Sequence, residues 1–572
     1  NPSVAVIGAG MTGILMAIKL REAGIDDITI LEKADRLGGT WRENTYPGVA
    51  CDVPAHMYTY SFRGNPNWSH RFAHGDEIQQ YFEEVAQEYG VTEQIRFNEA
   101  LEQCHFKNGQ WHLTTSKGAR MVVDFVVSAT GILHHPAYPE IDGLDSFAGD
   151  MWHTARWNHD VDLRGKKVGI IGTGSTACQV ISELAYQDCE VTVFQRTPQW
   201  VISVPDKEYD ESDKASLRGN QAKLSALSRR YAFTLRNSFS KAVTGHKLPH
   251  ALISMLAKRN LRTVRDPELR AKLTPDYQVG CKRLIISSKF YDAMQRDNVH
   301  LETTGIERIS EQGVVTVDGK TEELDVLILA TGFHPFNFMR PMDLRGRDGI
   351  SIDDAWKKKV QAYRSLCIPG FPNFFLMLGP NSPIGNYSVI AMSEVQSAYV
   401  LQLIDLWRSG ELPQVEATEE AKTRYNDYLR AGMSKTVWLG GCQSWYLDPD
   451  GDPAMWPYSW DQWVKEHDEI DLDDFHHAAP AEIVPFKPAE KAALLVCVGL
   501  LRAMRCARGP FGSIAHQSLP KNRRFRRHHP NMGPEIPVCQ VSQPRAVPSS
   551  RHPGRGRGHI PTSEGVHERS DE

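Results

Sequence analysis

Two stretches of this chain share one plan, and that plan restricts the fold more than anything else in the sequence. Residues 4–33 read "VAVIGAGMTGILMAIKLREAGIDDITILEK", and residues 167–185 read "KVGIIGTGSTACQVISELA". Each starts with a short run of small apolar residues, as a strand buried on both faces requires. A glycine turn follows, and then a helical apolar period. In the first stretch the turn is Gly8, Gly10 and Gly13, spaced as GxGxxG. The strand "DITILE" comes next and ends in the acid Glu32. In the second the turn is Gly172, Gly174 and Ala177, and the following strand "EVTVFQR" ends in Gln195, Arg196 and Thr197.

The spacing carries chemistry. The first glycine permits the tight turn, the second lets backbone approach a pyrophosphate, and the third position packs helix on strand. The helix N-terminus then offers free N–H groups to phosphate. Glu32 is placed to accept hydrogen bonds from ribose hydroxyls and repels a 2′-phosphate, so the first seat suits FAD or NAD. The second seat has no acid there and an arginine instead. A guanidinium pairs bidentately with a phosphate, so this seat suits NADPH, with Arg196 at the 2′-phosphate. Thr173, Ser175 and Thr176 complete that turn. Two such seats in one chain predict a bound flavin reduced by an exchangeable NADPH.

Two further strands, "DFVVSATG" at 124–131 and "LDVLILATG" at 324–332, end in the same Ala-Thr-Gly. Each is expected to be the last strand of its dinucleotide unit. The fold class is therefore α/β with two Rossmann-like dinucleotide-binding domains, the NADP domain inserted in the FAD domain. The expected limits are 1–140 for the first part of the FAD domain and 150–325 for the NADP domain. Residues 326–485 complete the FAD domain and supply substrate-side segments. Residues of about 200–275 lack strand signals and predict a mainly helical insertion.

The remaining stretch, 486–572, differs in character. Between 492 and 560 it has twelve Lys/Arg against the single acid Glu535, with much Pro and Gly. It is expected to be a disordered basic tail lying outside the enzyme. A basic run can bind nucleic acid or an anionic membrane, but no aromatic platform or repeat supports either, and no nucleic-acid partner is expected. The apolar run 492–501 is too short to span a bilayer, and no transmembrane segment is expected. Ten cysteines without CxxC or regular spacing read as reduced thiols, which predicts a cytoplasmic protein with no disulfide framework and no metal site. Residue 1 is Asn, which fits a trimmed or incomplete start.

Between the two glycine turns stands "FAGDMWHTARWN". Phe147, Gly149, His153 and Trp157 fit FxGxxxHxxxW, which resembles the fingerprint of the Baeyer–Villiger monooxygenases, the class B flavoprotein monooxygenases. Asn158 stands where that fingerprint usually has Pro or Asp. The related N- or S-oxygenating flavin-containing monooxygenases typically have Tyr or Phe at the position of Trp157, so they are the alternative reading. A flavin disulfide reductase would need a redox CxxC or CxxxxC, which is absent.

The resemblance implies an FAD- and NADPH-dependent enzyme that inserts one atom of O2 next to a ketone carbonyl, giving an ester or lactone through a C4a-peroxyflavin. It implies that "GGTWRENTYPGVACDVPAHMYTY" contacts flavin through Thr40, Trp41, Glu43, Asp52, Val53 and Tyr58, with Ala50, Cys51 and Asp52 toward the nicotinamide; Gly38 and Gly39, which open this segment, are expected to let backbone approach a phosphate-bearing or flavin surface. It implies that "GCKRL" carries the active-site arginine, Arg283, held by Asp52, while Lys282 helps Arg196 and Thr197 hold the 2′-phosphate. "GPNSPIGNYS" and "GCQSWYLDPDGDPAMWPYSW" are similar to substrate-side segments, with Trp445 and Trp456 among their aromatics. His153 is expected to hold backbone between domains and to take no part in proton transfer.

Overall fold

The computed structural model describes residues 1–477 except 383–386, 443 and 453. The expected disordered tail, 486–572, lies outside the described residues. Two parallel five-stranded sheets organise the rest. The first has the spatial order Phe374–Leu376, Phe125–Ser128, Val4–Ile7, Ile28–Leu31, Ile95–Arg96. The second has the order Val299–Glu302, Glu190–Phe194, Lys167–Ile171, Val326–Leu329, Asp150–His153. All five strands of the second sheet lie in sequence between Phe125–Ser128 and Phe374–Leu376 of the first. The second unit is thus inserted into the first.

The apolar strands are short because both faces are covered. Val4–Ile7, Phe125–Ser128 and Val326–Leu329 are buried at every residue. In each sheet the strand before the glycine turn pairs on one side with its successor and on the other with the Ala-Thr-Gly strand: Val4 with Ile28 and Phe125, Val168 with Val191 and Val326. That central reversal of strand order is where doubly wound sheets leave a crevice for ligands. The strand Val326–Leu329 belongs to the second sheet, which therefore runs past position 325.

Smaller elements attach to this frame. Leu101–Lys107, Gln110–Thr115 and Arg120–Val123 form an antiparallel meander that is extended by Asp343–Arg345. The expected helical insertion contains the helices Glu211–Leu217, Gln221–Leu235, Lys247–Leu261 and Pro267–Lys272. It also contains one strand that the sequence reading did not expect, Val201–Ile202, which pairs with Ile285–Ile286. The helix Val389–Arg408 has the length and mean hydropathy of a membrane span, but half of it is buried in the core of the first unit.

The reduced-thiol expectation needs one correction. Cys281 and Cys442 are joined in a disulfide across 161 residues of sequence. Spacing rules find cysteines that are close in sequence, whereas folding alone brings these two together. Cys51, Cys104, Cys178, Cys189 and Cys367 are free and buried.

Candidate active site

The two glycine turns are built alike. Gly8 adopts φ +101° beside the carbonyl of Ala129, and a Cβ there would approach Ala129 O to 2.8 Å. Gly172 adopts φ +115°, where a Cβ would come within 2.5 Å of Ala330 O. So the Ala-Thr-Gly strands press against the turns, and only glycine fits. At Gly13 a Cβ would meet Gly8 O at 1.9 Å. The helices that follow, Met11–Glu22 and Ser175–Leu184, start at Gly10 and Gly174 with no side-chain cap and no acid in the first turn. Their first N–H groups are left to another acceptor.

In the first unit Glu32 is 5% exposed at the end of its strand. Its carboxylate accepts from Ala9 N at 2.8 Å, from Ala34 N at 3.0 Å and from Arg42 Nη1 at 2.9 Å. Gly39, at φ +55°, begins the short helix Thr40–Glu43 and faces Gly10: a Cβ on Gly39 would lie 3.1 Å from Gly10 Cα. Two bare backbone segments thus flank the turn, as a pyrophosphate needs. Trp41 donates from Nε1 to the Tyr58 hydroxyl at 3.2 Å. Glu43 meets Arg42 Nη2 at 2.9 Å and His134 Nδ1 at 3.0 Å. Burial pushes the Glu43 carboxyl up, but the hydrogen bond with His134 and the charges of His134, Arg156 and Arg42 bring it below its ordinary value. Val53 is buried, and its N–H points to Cys51 Sγ.

The segment 46–52 crosses to the second unit. Tyr46 Oη donates to Gln179 Oε1 at 2.9 Å, and Gln179 Nε2 donates to Ala50 O at 2.9 Å. A Cβ on Gly48 would strike Glu183 and the Gln179 carbonyl. Asp52 therefore projects at the junction of the two dinucleotide units. There Arg283 Nη2 lies 2.6 Å from Asp52 Oδ2, with Nε at 3.2 Å. The Asp52 side chain is 17% exposed and that of Arg283 33%. The carboxylate raises the already high pKa of the guanidinium further, so Arg283 is a permanent cation.

Tyr446 lies near this pair, which the sequence reading missed. Burial pushes its phenol up to about 12, while Arg283 pulls the other way. Its neighbour Trp445 lines a cavity of about 240 Å³ together with Ile132, Phe336, Phe338, Leu429 and Met433. The Cys281–Cys442 disulfide ties the Trp445 loop to the segment that carries Lys282 and Arg283. Trp456, in contrast, is fully buried against Trp463 and belongs to the core. Of the glycine-rich segment at 379–388, residues 383–386 lie outside the described residues.

In the second unit Arg196 is exposed at the strand end, and Thr173 Oγ1 donates to Thr197 O at 2.9 Å. Lys282 sits over the Tyr277 ring at 5.0 Å. Burial, then the charge of Arg196, lowers its pKa. Neither cation has an ion pair among the described residues. The charge of Asp276 acts on Lys282 in the opposite sense to that of Arg196.

His153 has both ring nitrogens engaged. Nδ1 accepts from Ala155 N at 3.1 Å, so Nε2 carries the proton and donates to Gly332 O at 3.0 Å. Burial holds its pKa down to about 4. The ring is neutral and couples the Asp150–His153 strand to the residues just after Val326–Leu329. Trp157 stacks edge-on against Trp152.

Comparison with known proteins fits this geometry. A model of the flavin-binding monooxygenase-like family matches residues 1–406. The chain belongs to that family. An uncharacterized monooxygenase of Mycobacterium tuberculosis is 48% identical over 458 residues, 80% of this chain and 92% of the relative. A Baeyer-Villiger monooxygenase of Streptomyces coelicolor is 38% identical over 496 residues, 86% of this chain and 95% of the relative. Among solved structures, the OTEMO complex with FAD and NADP superimposes with a TM-score of 0.75 at 26% identity, covering 83% of this family member and 99% of that chain.

Proposed function

We propose that this chain is an FAD- and NADPH-dependent Baeyer–Villiger monooxygenase in which Arg283 is the catalytic cation. It inserts one atom of O2 between a ketone's carbonyl carbon and a neighbouring carbon, breaking that C–C bond to form an ester or lactone, while NADPH reduces the other oxygen atom to water. The observation that carries the reading is the Arg283–Asp52 pair at the junction of two dinucleotide seats. The N- or S-oxygenating alternative is not favoured, because relatives with the Baeyer-Villiger name cover nearly the whole described chain.

The residues fit the cofactors. Gly8, Gly10, Gly13 and Gly39 leave bare backbone for the FAD pyrophosphate, and Glu32 takes a ribose. Thr40, Trp41, Glu43, Val53 and Tyr58 line the flavin side, while Ala50, Cys51 and Asp52 face the nicotinamide. Gly172, Thr173, Gly174, Ser175, Thr176 and Ala177 receive the NADPH pyrophosphate; Arg196, Thr197 and Lys282 hold its 2′-phosphate. The domains are 1–140, 150–325 and 326–485 with one adjustment: Val326–Leu329 pairs within the second sheet and so belongs to the NADP domain. A cytoplasmic setting is part of this reading, on the strength of the five free thiols among the described residues, to which the Cys281–Cys442 bond is the exception.

When bound, NADPH supplies the hydride and FAD accepts it and activates oxygen. The chain's own part is electrostatic. Arg283 presents a fixed positive charge to oxygen that is negative before attack and to the alkoxide that develops after it. Arginine suits this because it does not surrender its proton. Asp52 keeps the guanidinium oriented and lowers the cost of holding it half-buried. The cavity beside Trp445, with the apolar residues Ile132, Phe336, Phe338, Leu429 and Met433 and the charged residues Lys359, Arg430 and Asp448 in its lining, is the proposed seat of the ketone.

The test is anaerobic reduction of the purified yellow protein by NADPH and by NADH, followed by ¹⁸O2 and a ketone. Faster reduction by NADPH and one ¹⁸O atom in an ester product are expected. Release of hydrogen peroxide alone, across a panel of cyclic, linear and aryl ketones, would overturn the reading.

A further inference from the structure

The helix Lys247–Leu261 carries an apolar face that nothing covers among the described residues. Leu248 is 85% exposed, Met255 57%, Leu252 51% and Leu256 42%. The opposite side of the same helix, Ile253, Ala257 and Leu261, is buried in the second unit. Helical spacing puts Leu248, Leu252 and Met255 on one line, about 10 Å long. Arg259 and Arg262 continue that line, and Lys247 and Lys258 flank it. The helix is anchored: His250 Nε2 meets Val279 O at 3.0 Å and Asn260 Nδ2 donates to Val201 O at 3.1 Å. Its exposed face is therefore held outward by a fixed contact on the inner side.

The charge around it is one-sided. Between Asp213 and Asp266 lie 52 residues with twelve Lys/Arg and no Asp or Glu, in a chain whose net charge is −5. Of the twelve, only Arg218 and Arg236 have an acidic partner among the described residues, Glu211 and Asp461. The other ten have no acidic partner among the described residues, and five of them, Lys247, Lys258, Arg259, Arg262 and Arg265, are exposed on this helix or just after it. A second copy of the same face would bring like charges together. The stretch 492–560 is itself basic, twelve cations to one acid, so it is repelled as well. A nucleic acid satisfies the cations but gives the leucines nothing. An anionic bilayer surface satisfies both, with headgroups for the cations and acyl chains for the leucines.

We propose that the Lys247–Leu261 helix and the acid-free segment around it dock this enzyme on an anionic lipid surface. The helix lies in the interface, Leu248, Leu252 and Met255 enter the headgroup boundary, and Lys258, Arg259 and Arg262 engage the anionic headgroups. Binding is peripheral, and salt weakens it. The docked face belongs to the same unit as Arg283, and the anchor residue Val279 lies four residues before it.

The experiment is vesicle co-sedimentation of the full FAD-loaded chain with phosphatidylcholine vesicles and with vesicles containing one-third phosphatidylglycerol. At least about tenfold stronger binding to the anionic vesicles is expected. Two full-length variants decide the cause: Leu248→Ser/Leu252→Ser/Met255→Ser and Arg259→Glu/Arg262→Glu. Each should lose about tenfold or more in vesicle binding, and flavin reduction by NADPH should be unchanged, which shows that the variants are folded. Undiminished binding by both variants would assign the attachment to the basic C-terminal stretch and overturn the proposal. So would equal binding to neutral vesicles, or a wild-type dimer that the leucine variant converts to monomer in the absence of lipid. Duplex DNA binding that the leucine variant retains while vesicle binding is absent would overturn it in favour of nucleic acid.

Discussion

Cys442 is bonded to Cys281, and Cys281 stands two residues before Arg283. The loop that presents Trp445 to the cavity is thereby tied to the segment that carries Arg283. Cross-linking across so long a separation stabilises mainly by restricting the unfolded chain, typically by 2–4 kcal/mol. Cys281→Ser is therefore expected to lower unfolding stability by roughly 2–4 kcal/mol. The protein denatured without reductant should also titrate two thiols fewer than the same protein after reduction. Equal thiol counts would show that the bond is absent in solution.

Arg283→Ala separates two functions of the site. On the proposed mechanism, hydride delivery to the flavin rests on the two dinucleotide seats and oxygen transfer on the cation. We expect flavin reduction by NADPH to stay within about tenfold and ketone oxygenation to fall by ~10²–10³, the usual cost of deleting one such electrostatic contact. Hydrogen peroxide release should rise as ester formation falls. Arg283→Lys should recover only part of the loss, because an ammonium does not reproduce the planar fork held by Asp52. Stopped-flow reduction and product analysis read the two steps independently. Equal losses in both would mean that Arg283 serves binding.

Gly13→Ala tests the first seat. Its Cβ would lie 1.9 Å from the Gly8 carbonyl oxygen, a backbone atom with no room to yield. The helix must then move away from the strand, and the turn loses its shape. The variant is expected to purify colourless and to bind added FAD at least about a hundredfold more weakly, a loss of roughly 3 kcal/mol that is usual for overpacking. Retention of flavin at wild-type stoichiometry would count against the assigned seat.

Much of this was legible in sequence because short parallel strands and glycine turns leave local signatures. The pattern around Gly8 and Glu32 specified strand, turn, helix and strand in order, and the two Ala-Thr-Gly strands announced the insertion. What stayed hidden depends on pairings distant in sequence. Asp52 and Arg283 are 231 residues apart, and a family resemblance suggested their meeting where spacing could not. The Cys281–Cys442 bond had no such guide and was read wrongly. Tyr446 sits beside Trp445, which the sequence did single out, but only the fold shows that neighbouring side chains serve the cavity and the arginine. Trp456 reads like a site aromatic, yet it fills the core: composition marks an aromatic cluster without saying which ring faces in.

The charge of Arg196 disfavours the charged form of Lys282, and on the proposed reading the 2′-phosphate of NADPH binds both and relieves that repulsion. Each charge-assisted contact to a phosphate is worth roughly 1.5–3 kcal/mol. Arg196→Ala and Lys282→Ala should each raise KM for NADPH by about 10- to 150-fold and leave KM for NADH nearly unchanged. Steady-state reduction with both nucleotides measures this. A parallel rise for NADH would place these residues at some other part of the nucleotide.

His153 gives the fold an acid limit. Its pKa in the folded protein is about 4, against 6.5 ordinarily, because burial disfavours the imidazolium. As pH falls below 6.5 the unfolded chain takes up the proton first, so stability is lost between 6.5 and about 4. The depression corresponds to about 3 kcal/mol when complete. Protonation also removes the Nδ1 acceptor used by Ala155 N. His153→Gln keeps a donor for Gly332 O but cannot titrate. At pH 7.5 the variant should be less stable by about 1 kcal/mol, the value of the lost bond. On acidification the wild type should lose about 3 kcal/mol more than the variant, so that the two curves cross near pH 6. His56 and His467 titrate with the same sign in both proteins, so the difference isolates His153. Urea unfolding at several pH values measures it, and parallel curves would show that this ring is not the acid-sensitive link between the two strands.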